Sequence, residues 1–185
     1  MRITILGAGN IGLAAGTKWK AKGHDITFGV RDPQSQKAWN AINIGAKVTT
    51  FQESMTDAEV VLVAIPFGVA DEVLKSIDVE WDGKIIIDAT NPISVSTEPF
   101  ESAAEAISAW TGSADVVKAF NTTGVGNMTN PEYNGKAIET FICGDEVASK
   151  QTVSTLAQDL GFRVVDVGGI ENAVMLENLA KLWVT

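Results

Sequence analysis

Short apolar runs alternate along this chain with longer stretches of helical spacing. Residues 2–6 form an apolar strand that runs directly into Gly7-Ala-Gly-Asn-Ile-Gly12, and a helix-compatible stretch follows to about residue 22, with Gly23 as its stop. Residues 26–28 supply a second strand, ending at Gly29-Val-Arg31. Asp32 is placed to cap a helix starting after Pro33. A short strand is expected at 45–48. Residues 59–65 are apolar almost throughout, the pattern of a parallel strand buried on both faces, and Pro66 closes it. A helix over 69–77, a strand over 84–88, an Ala-rich helix over 98–110 and a strand over 115–120 continue the alternation. Residues 126–135 are the most loop-like stretch. A late unit follows, with a strand at 137–143, a helix at 146–160 stopped by Gly161, a strand at 162–167 and a last helix over 171–183. Leu176, Leu179 and Trp183 fall on one stripe of that helix, suited to the core or to a subunit contact. The order predicts an α/β fold with a doubly wound, mostly parallel sheet and extra C-terminal strands.

Length and composition narrow the picture. One domain over 1–185 fits 185 residues of 45% hydrophobic content and leaves no room for a separate substrate domain. The longest apolar runs fall far short of the roughly 20 residues that span a bilayer, and residue 1 enters a strand with no signal-peptide pattern. A cytoplasmic protein without membrane attachment is expected. A net charge of −9 argues against nucleic acid as a partner. Cys143, the only cysteine, lies in an apolar run and is expected to be a buried strand residue. His24, the only histidine, is expected to pack in a turn.

The glycine-rich turn carries the first chemistry. In a strand–turn–helix context, Gly7 permits the tight turn, Gly9 lets a pyrophosphate approach the backbone, and Gly12 lets the helix lie close to the strand. The helix start then presents free N–H groups and a positive dipole end to an anion. A Rossmann-type NAD(P)-binding domain follows. The end of the second strand meets the adenosine ribose. NAD enzymes usually place an Asp or Glu there, whereas this chain places Arg31, whose guanidinium pairs with a 2′-phosphate; NADP is therefore favoured over NAD. Lys37 is a second candidate for that phosphate, or an exposed helix lysine. The strand ends after Ile65, Asp88 and Phe120 all carry turns of small polar residues, at the edge where ligands of open α/β sheets bind. Asn91 offers a donor and an acceptor suited to a nicotinamide amide, and Pro92 suits the wall beside the ring; ordinary turn chemistry accounts for both equally simply.

Several stretches taken in order resemble the NADP oxidoreductases dependent on the deazaflavin coenzyme F420, relatives of pyrroline-5-carboxylate reductase and of the reductase domain of membrane metalloreductases. They are residues 7–12, Gly29-Val-Arg31 with Lys37, Val63-Ala-Ile-Pro66, Asp88-Ala-Thr-Asn-Pro-Ile93, Val117-Lys-Ala-Phe-Asn121, Cys143-Gly-Asp145, residues 161–168 and Leu176-Glu-Asn-Leu179. The resemblance implies NADP as cofactor, with coenzyme F420 or a flavin as small-molecule co-substrate. It also implies roles: Gly7, Gly9, Asn10 and Ile11 at the pyrophosphate, Arg31 and Lys37 at the 2′-phosphate, and Ile65 and Pro66 along the dinucleotide. Asn91, Pro92 and Ile93, with Asn121, Thr122 and Thr123, would frame the nicotinamide and the acceptor ring. Val30 stands where the family often has a hydroxyl. No Ser/His/Asp, Cys/His or metal constellation stands out, as expected if catalysis is orientation of two rings and no catalytic side chain is assigned. Two other readings stay open: a carbonyl or imine reductase completed by a homodimer, and a non-catalytic NADP-binding redox sensor.

Overall fold

The computed structural model describes residues 1–184. Its strands are β1 (Arg2–Leu6), β2 (Asp25–Val30), β3 (Lys47–Thr50), β4 (Val60–Val63), β5 (Ile85–Asp88), β6 (Val116–Ala119), the pair β7 (Glu132–Tyr133) and β8 (Lys136–Ala137), β9 (Glu139–Cys143) and β10 (Arg163–Asp166). The helices are α1 (Asn10–Ala21), α2 (Gln36–Asn43), α3 (Phe51–Ser54), α4 (Phe67–Ser76), α5 (Ala103–Thr111), α6 (Val125–Thr129), α7 (Val147–Leu160) and α8 (Ala173–Val184). Eight strands form one sheet in the order β10-β9-β6-β5-β4-β1-β2-β3, parallel except for the β6–β9 pair. The run β3-β2-β1-β4-β5-β6 is the dinucleotide-binding order, with its reversal point between β1 and β4. This is the expected Rossmann-type fold with added C-terminal strands.

All four residues of β4 and of β6 are buried, as central strands covered on both faces must be. One apolar cluster joins β1, α1, α2 and α7; the other joins α4, α5 and α8 on the opposite face. The late unit is fastened to α1 by polar bonds as well as packing. The Trp19 ring is fully buried, so its indole N–H needs an internal partner and donates to the Leu156 carbonyl at 2.9 Å. Lys18 Nζ donates to the Leu160 carbonyl at 2.8 Å, and His24 Nε2 sits 3.0 Å from Asp159 Oδ2, the turn-packing role expected of it. Among the described residues no helix is long and apolar enough to cross a membrane.

Several boundaries differ from the expected ones for identifiable reasons. Ser35 caps α2, accepting from Ala38 N, while Asp32 Oδ1 accepts from Gln34 N within the preceding turn. The third strand lies at Lys47–Thr50, because Thr50 and Glu53 form a capping box that stops it. The helix expected from 98 starts at Ala103 behind the Ser102 cap. The loop-like stretch contains α6 and the β7–β8 hairpin, and Ile138, whose N–H bonds to the Pro131 carbonyl, divides the expected strand 137–143. A 3-10 turn, Ile170–Asn172, precedes the last helix. The apolar stripe of that helix is split: Leu176 is buried and Leu179 is 43% exposed, while the Trp183 side chain lies outside the described residues.

Candidate functional site

β1 delivers the chain to Gly7, whose φ of +104° makes the turn into α1. A Cβ at Gly7 would stand 2.7 Å from the Ala64 carbonyl oxygen, so this turn is packed tightly against the end of β4. The first i to i−4 bond of α1 runs from Leu13 N to the Gly9 carbonyl at 2.9 Å, leaving the N–H groups of Asn10, Ile11 and Gly12 ahead of the helical ladder. They form the electropositive end of a twelve-residue helix, the kind of terminus that suits an anion.

A cavity of about 260 Å³ opens over this turn. It joins Gly7 and Gly9 to Arg31, Lys37, Ile65 and Pro66, six of the residues expected to hold a dinucleotide. Ser35 and Phe51 line it as well. The two were missed because a serine before a helix and a phenylalanine in a short helical turn read as cap and core. Ser35 Oγ accepts from Ala38 N and keeps its own O–H free to donate, so it offers the hydroxyl that Val30 lacks. Arg31 and Lys37 are exposed, and neither takes part in an ion pair among the described residues. Two expected residues depart from this group. Asn10 is exposed and lines a second cleft, of about 430 Å³, between α1 and α6. Ile11 packs its side chain on the core, so only its backbone N–H is available to a ligand.

The second expected group forms at the neighbouring strand ends. β5 and β6 pair with Asp88 opposite Lys118, and the turns that follow bring Asn91 and Asn121 together. Asn91 Nδ2 donates to the Asn121 carbonyl at 2.8 Å, and Asn121 Nδ2 donates to Asn91 Oδ1 at 2.9 Å. Asn91 thus spends one donor and one acceptor on Asn121. Pro92 is buried, Ile93 is 39% exposed, and Thr122 is half-buried. The buried atoms Thr90 Oγ1, Asn121 Oδ1 and Thr123 Oγ1 have no hydrogen-bond partner among the described residues. Phe120, just before Asn121, holds a left-handed φ of 63° while fully buried against Trp19 and Phe162. Strain of about 1–3 kcal/mol at such a residue persists only where packing imposes it.

Beneath the two turns lies a charge cluster that the sequence reading did not find. Lys118 Nζ is wholly buried and lies 2.8 Å from Asp88 Oδ2 and 2.7 Å from Glu177 Oε1. Nothing in the local pattern signals it, since a lysine in a four-residue strand and a glutamate in a terminal helix both read as surface. Burial pushes the Glu177 carboxyl above its ordinary range, against the pull of Lys118. Burial likewise pushes the thiol of Cys143, the buried strand residue expected, up to about 12, so it stays neutral. A raised carboxyl binds its proton more tightly in the folded chain, so its contribution to stability declines as pH rises above about 4.5, where the unfolded group ionises. The urea midpoint of the wild type should therefore fall relative to that of Glu177→Gln between pH 4 and pH 8. A difference that stays constant with pH contradicts the raised value.

A family model for coenzyme F420-dependent NADP oxidoreductases matches residues 2–92. The F420-dependent NADP reductase of Methanothermobacter marburgensis is 28% identical across the whole chain, which covers 91% of that protein. The metalloreductase STEAP3 of Rattus norvegicus is 29% identical over 95% of the chain, but the chain spans only 36% of that protein's length. A crystal structure of a candidate F420-dependent NADP reductase from Arthrobacter sp. FB24 superposes with a TM-score of 0.85 and 27% identity, covering 100% of this chain and 92% of that one.

Proposed function

We propose that this chain, which matches a family model for coenzyme F420-dependent NADP oxidoreductases over residues 2–92, is an NADP-dependent oxidoreductase that transfers hydride between NADP(H) and a flavin-like acceptor, either coenzyme F420 or a free flavin. The observation that carries the reading is the single cavity uniting the α1 turn with Arg31, Lys37 and Pro66. The residues fit the dinucleotide piece by piece. The first N–H groups of α1 hold the pyrophosphate; Arg31, with Lys37 and the Ser35 hydroxyl, takes the 2′-phosphate; and Phe51 offers a face to the adenine. Asn91 and Asn121 retain one amide N–H each and meet the nicotinamide carboxamide together, with Asn121 Oδ1 and the Thr90 and Thr123 hydroxyls as further buried polar partners.

Bound NADPH supplies the hydride, and the residues supply its orientation. Holding two planar rings face to face replaces a bimolecular encounter by a positioned one and needs no nucleophile. The exposed Ile93 side chain and the half-buried Thr122 border the acceptor's side of the site. The test is anaerobic oxidation of NADPH, followed at its nicotinamide absorbance, with coenzyme F420 and with FMN in parallel. NADPH should be consumed with at least one of them, and at least about tenfold faster than NADH at equal concentration. No consumption with either acceptor overturns the proposal.

A further inference from the structure

The turns carrying Asn91 and Asn121 are joined twice. Above, the Asn91 amide donates to the Asn121 backbone carbonyl and accepts from the Asn121 amide; below, Lys118 and Asp88, three residues before Asn121 and Asn91 respectively, form an ion pair. All three ammonium protons of Lys118 are committed, to Asp88 Oδ2 and the Thr90 carbonyl at 2.8 Å and to Glu177 Oε1 at 2.7 Å. The other Asp88 oxygen accepts from Thr90 N at 2.8 Å, so the backbone of Thr90 is held at both its N–H and its C=O, in the two peptide groups that flank its Cα. Glu177 also accepts from Ala103 N at the start of α5, which brings α5 and α8 into the same network.

A buried ion pair is weak evidence of stabilisation, because desolvation offsets the attraction and an apolar replacement often serves as well. No apolar trio, however, holds both backbone polar groups of one residue. We propose that Lys118 is a positioning residue: by fixing the Thr90 peptide it sets the orientation of Asn91, and through the Asn91–Asn121 pair the amide surface against which the nicotinamide lies. This rests on the reading that Asn91 and Asn121 frame that ring.

The test separates orientation of the ring from affinity for the dinucleotide. Lys118→Met combined with Glu177→Gln removes the ammonium without leaving two unpaired buried carboxylates. Calorimetric titration gives the NADPH affinity, which should stay within about fivefold of wild type, because the pyrophosphate and 2′-phosphate contacts are untouched. Fluorescence of bound NADPH reports how firmly the nicotinamide is held, and its enhancement over free NADPH should fall by at least half. Single-turnover oxidation of bound NADPH by coenzyme F420 should slow by at least about fivefold. Leu156→Ala, a core truncation on α7, controls for lost stability and should change none of the three readouts.

An unchanged enhancement, or an affinity loss above fivefold, overturns the positioning role. Asn121→Ala distinguishes the two levels. If it lowers the enhancement and the Lys118 variant does not, only the positioning proposal fails; if Asn121→Ala leaves the enhancement intact, the ring is not framed there and both readings fall. If the double variant shows no cooperative thermal transition, Asp88→Asn takes its place. That substitution keeps Lys118 paired with Glu177 but cannot accept from both Lys118 and Thr90 N, and the same thresholds decide.

Discussion

Gly9→Val should fold much like the parent and bind NADPH at least about a hundredfold more weakly. Gly9 has φ −78° and ψ −175°, extended backbone that any residue adopts, and an added Cβ would meet nothing nearer than the Ala64 carbonyl oxygen at 4.0 Å. The fold therefore does not require glycine there. Replacing an N-cap glycine by a poorly capping residue costs about 1 kcal/mol, or about 2–4 °C in Tm. On the proposed reading that open space admits the pyrophosphate to the start of α1, and a branched side chain displaces it. Losing two charge-assisted hydrogen bonds at about 1.5–3 kcal/mol each weakens binding by roughly a hundredfold or more. Gly12 makes the contrasting control: a Cβ there runs into the Gly7 carbonyl oxygen and approaches Ile5 Cγ2 to 2.9 Å, so Gly12→Val should lower Tm sharply. Calorimetry of both variants with NADPH titration of the first checks the pair. A folded Gly9→Val protein that binds NADPH within tenfold of wild type would show that the turn holds no pyrophosphate.

Arg31→Glu should convert an NADPH-preferring protein into one that prefers NADH. Arg31 lies at the end of β2, exposed and free of any ion pair among the described residues, and it lines the dinucleotide cavity with Lys37 and Ser35. Removing its charge-assisted contact costs about 1.5–3 kcal/mol, roughly ten- to over a hundredfold in NADPH affinity. The introduced carboxylate adds repulsion toward the 2′-phosphate and an acceptor for a free 2′-hydroxyl. NADH affinity should change by less than about threefold or improve. Parallel titrations with the two cofactors decide the matter. An equal loss for both places Arg31 away from the 2′-phosphate.

What the sequence revealed and what it concealed follow from the range of the interactions involved. The turn at residues 7–12, the buried strand at Val60–Val63 and the left-handed cap of α7 at Gly161 are fixed by neighbours a few residues away, so their patterns are local and readable. Arg31 could be placed at the end of β2, where it lines the cavity over the α1 turn, because strand, turn and strand in succession set that edge of the sheet. The Lys118 cluster depends on partners 30 and 59 residues distant, and no local pattern marks a strand lysine whose charge is met by a neighbouring strand and a terminal helix. Ser35 was hidden for a related reason: Asp32 and Ser35 both cap well, and only the three-dimensional turn shows that Asp32 serves Gln34 while Ser35 begins the helix. Asn10 and Ile11 show the limit of a motif: it placed their backbone N–H groups at the start of α1, while the Asn10 side chain lines the cleft toward α6 and the Ile11 side chain packs on the core. The last helix, whose Leu176 is buried with Ala173 and Ala180 while Leu179 faces outward, shows that spacing marks an apolar stripe but not which of its residues the core takes.

Direct hydride transfer is tested most sharply with NADPH deuterated at both C4 positions, incubated anaerobically with the protein and coenzyme F420. A deazaflavin accepts hydride at carbon, so the label does not wash out into water. Mass spectrometry of the reduced coenzyme should show one deuterium per molecule. Reduced coenzyme without the label, or no reduction of F420 and none of FMN in a parallel reaction, contradicts transfer from the nicotinamide to a flavin-like ring in this site.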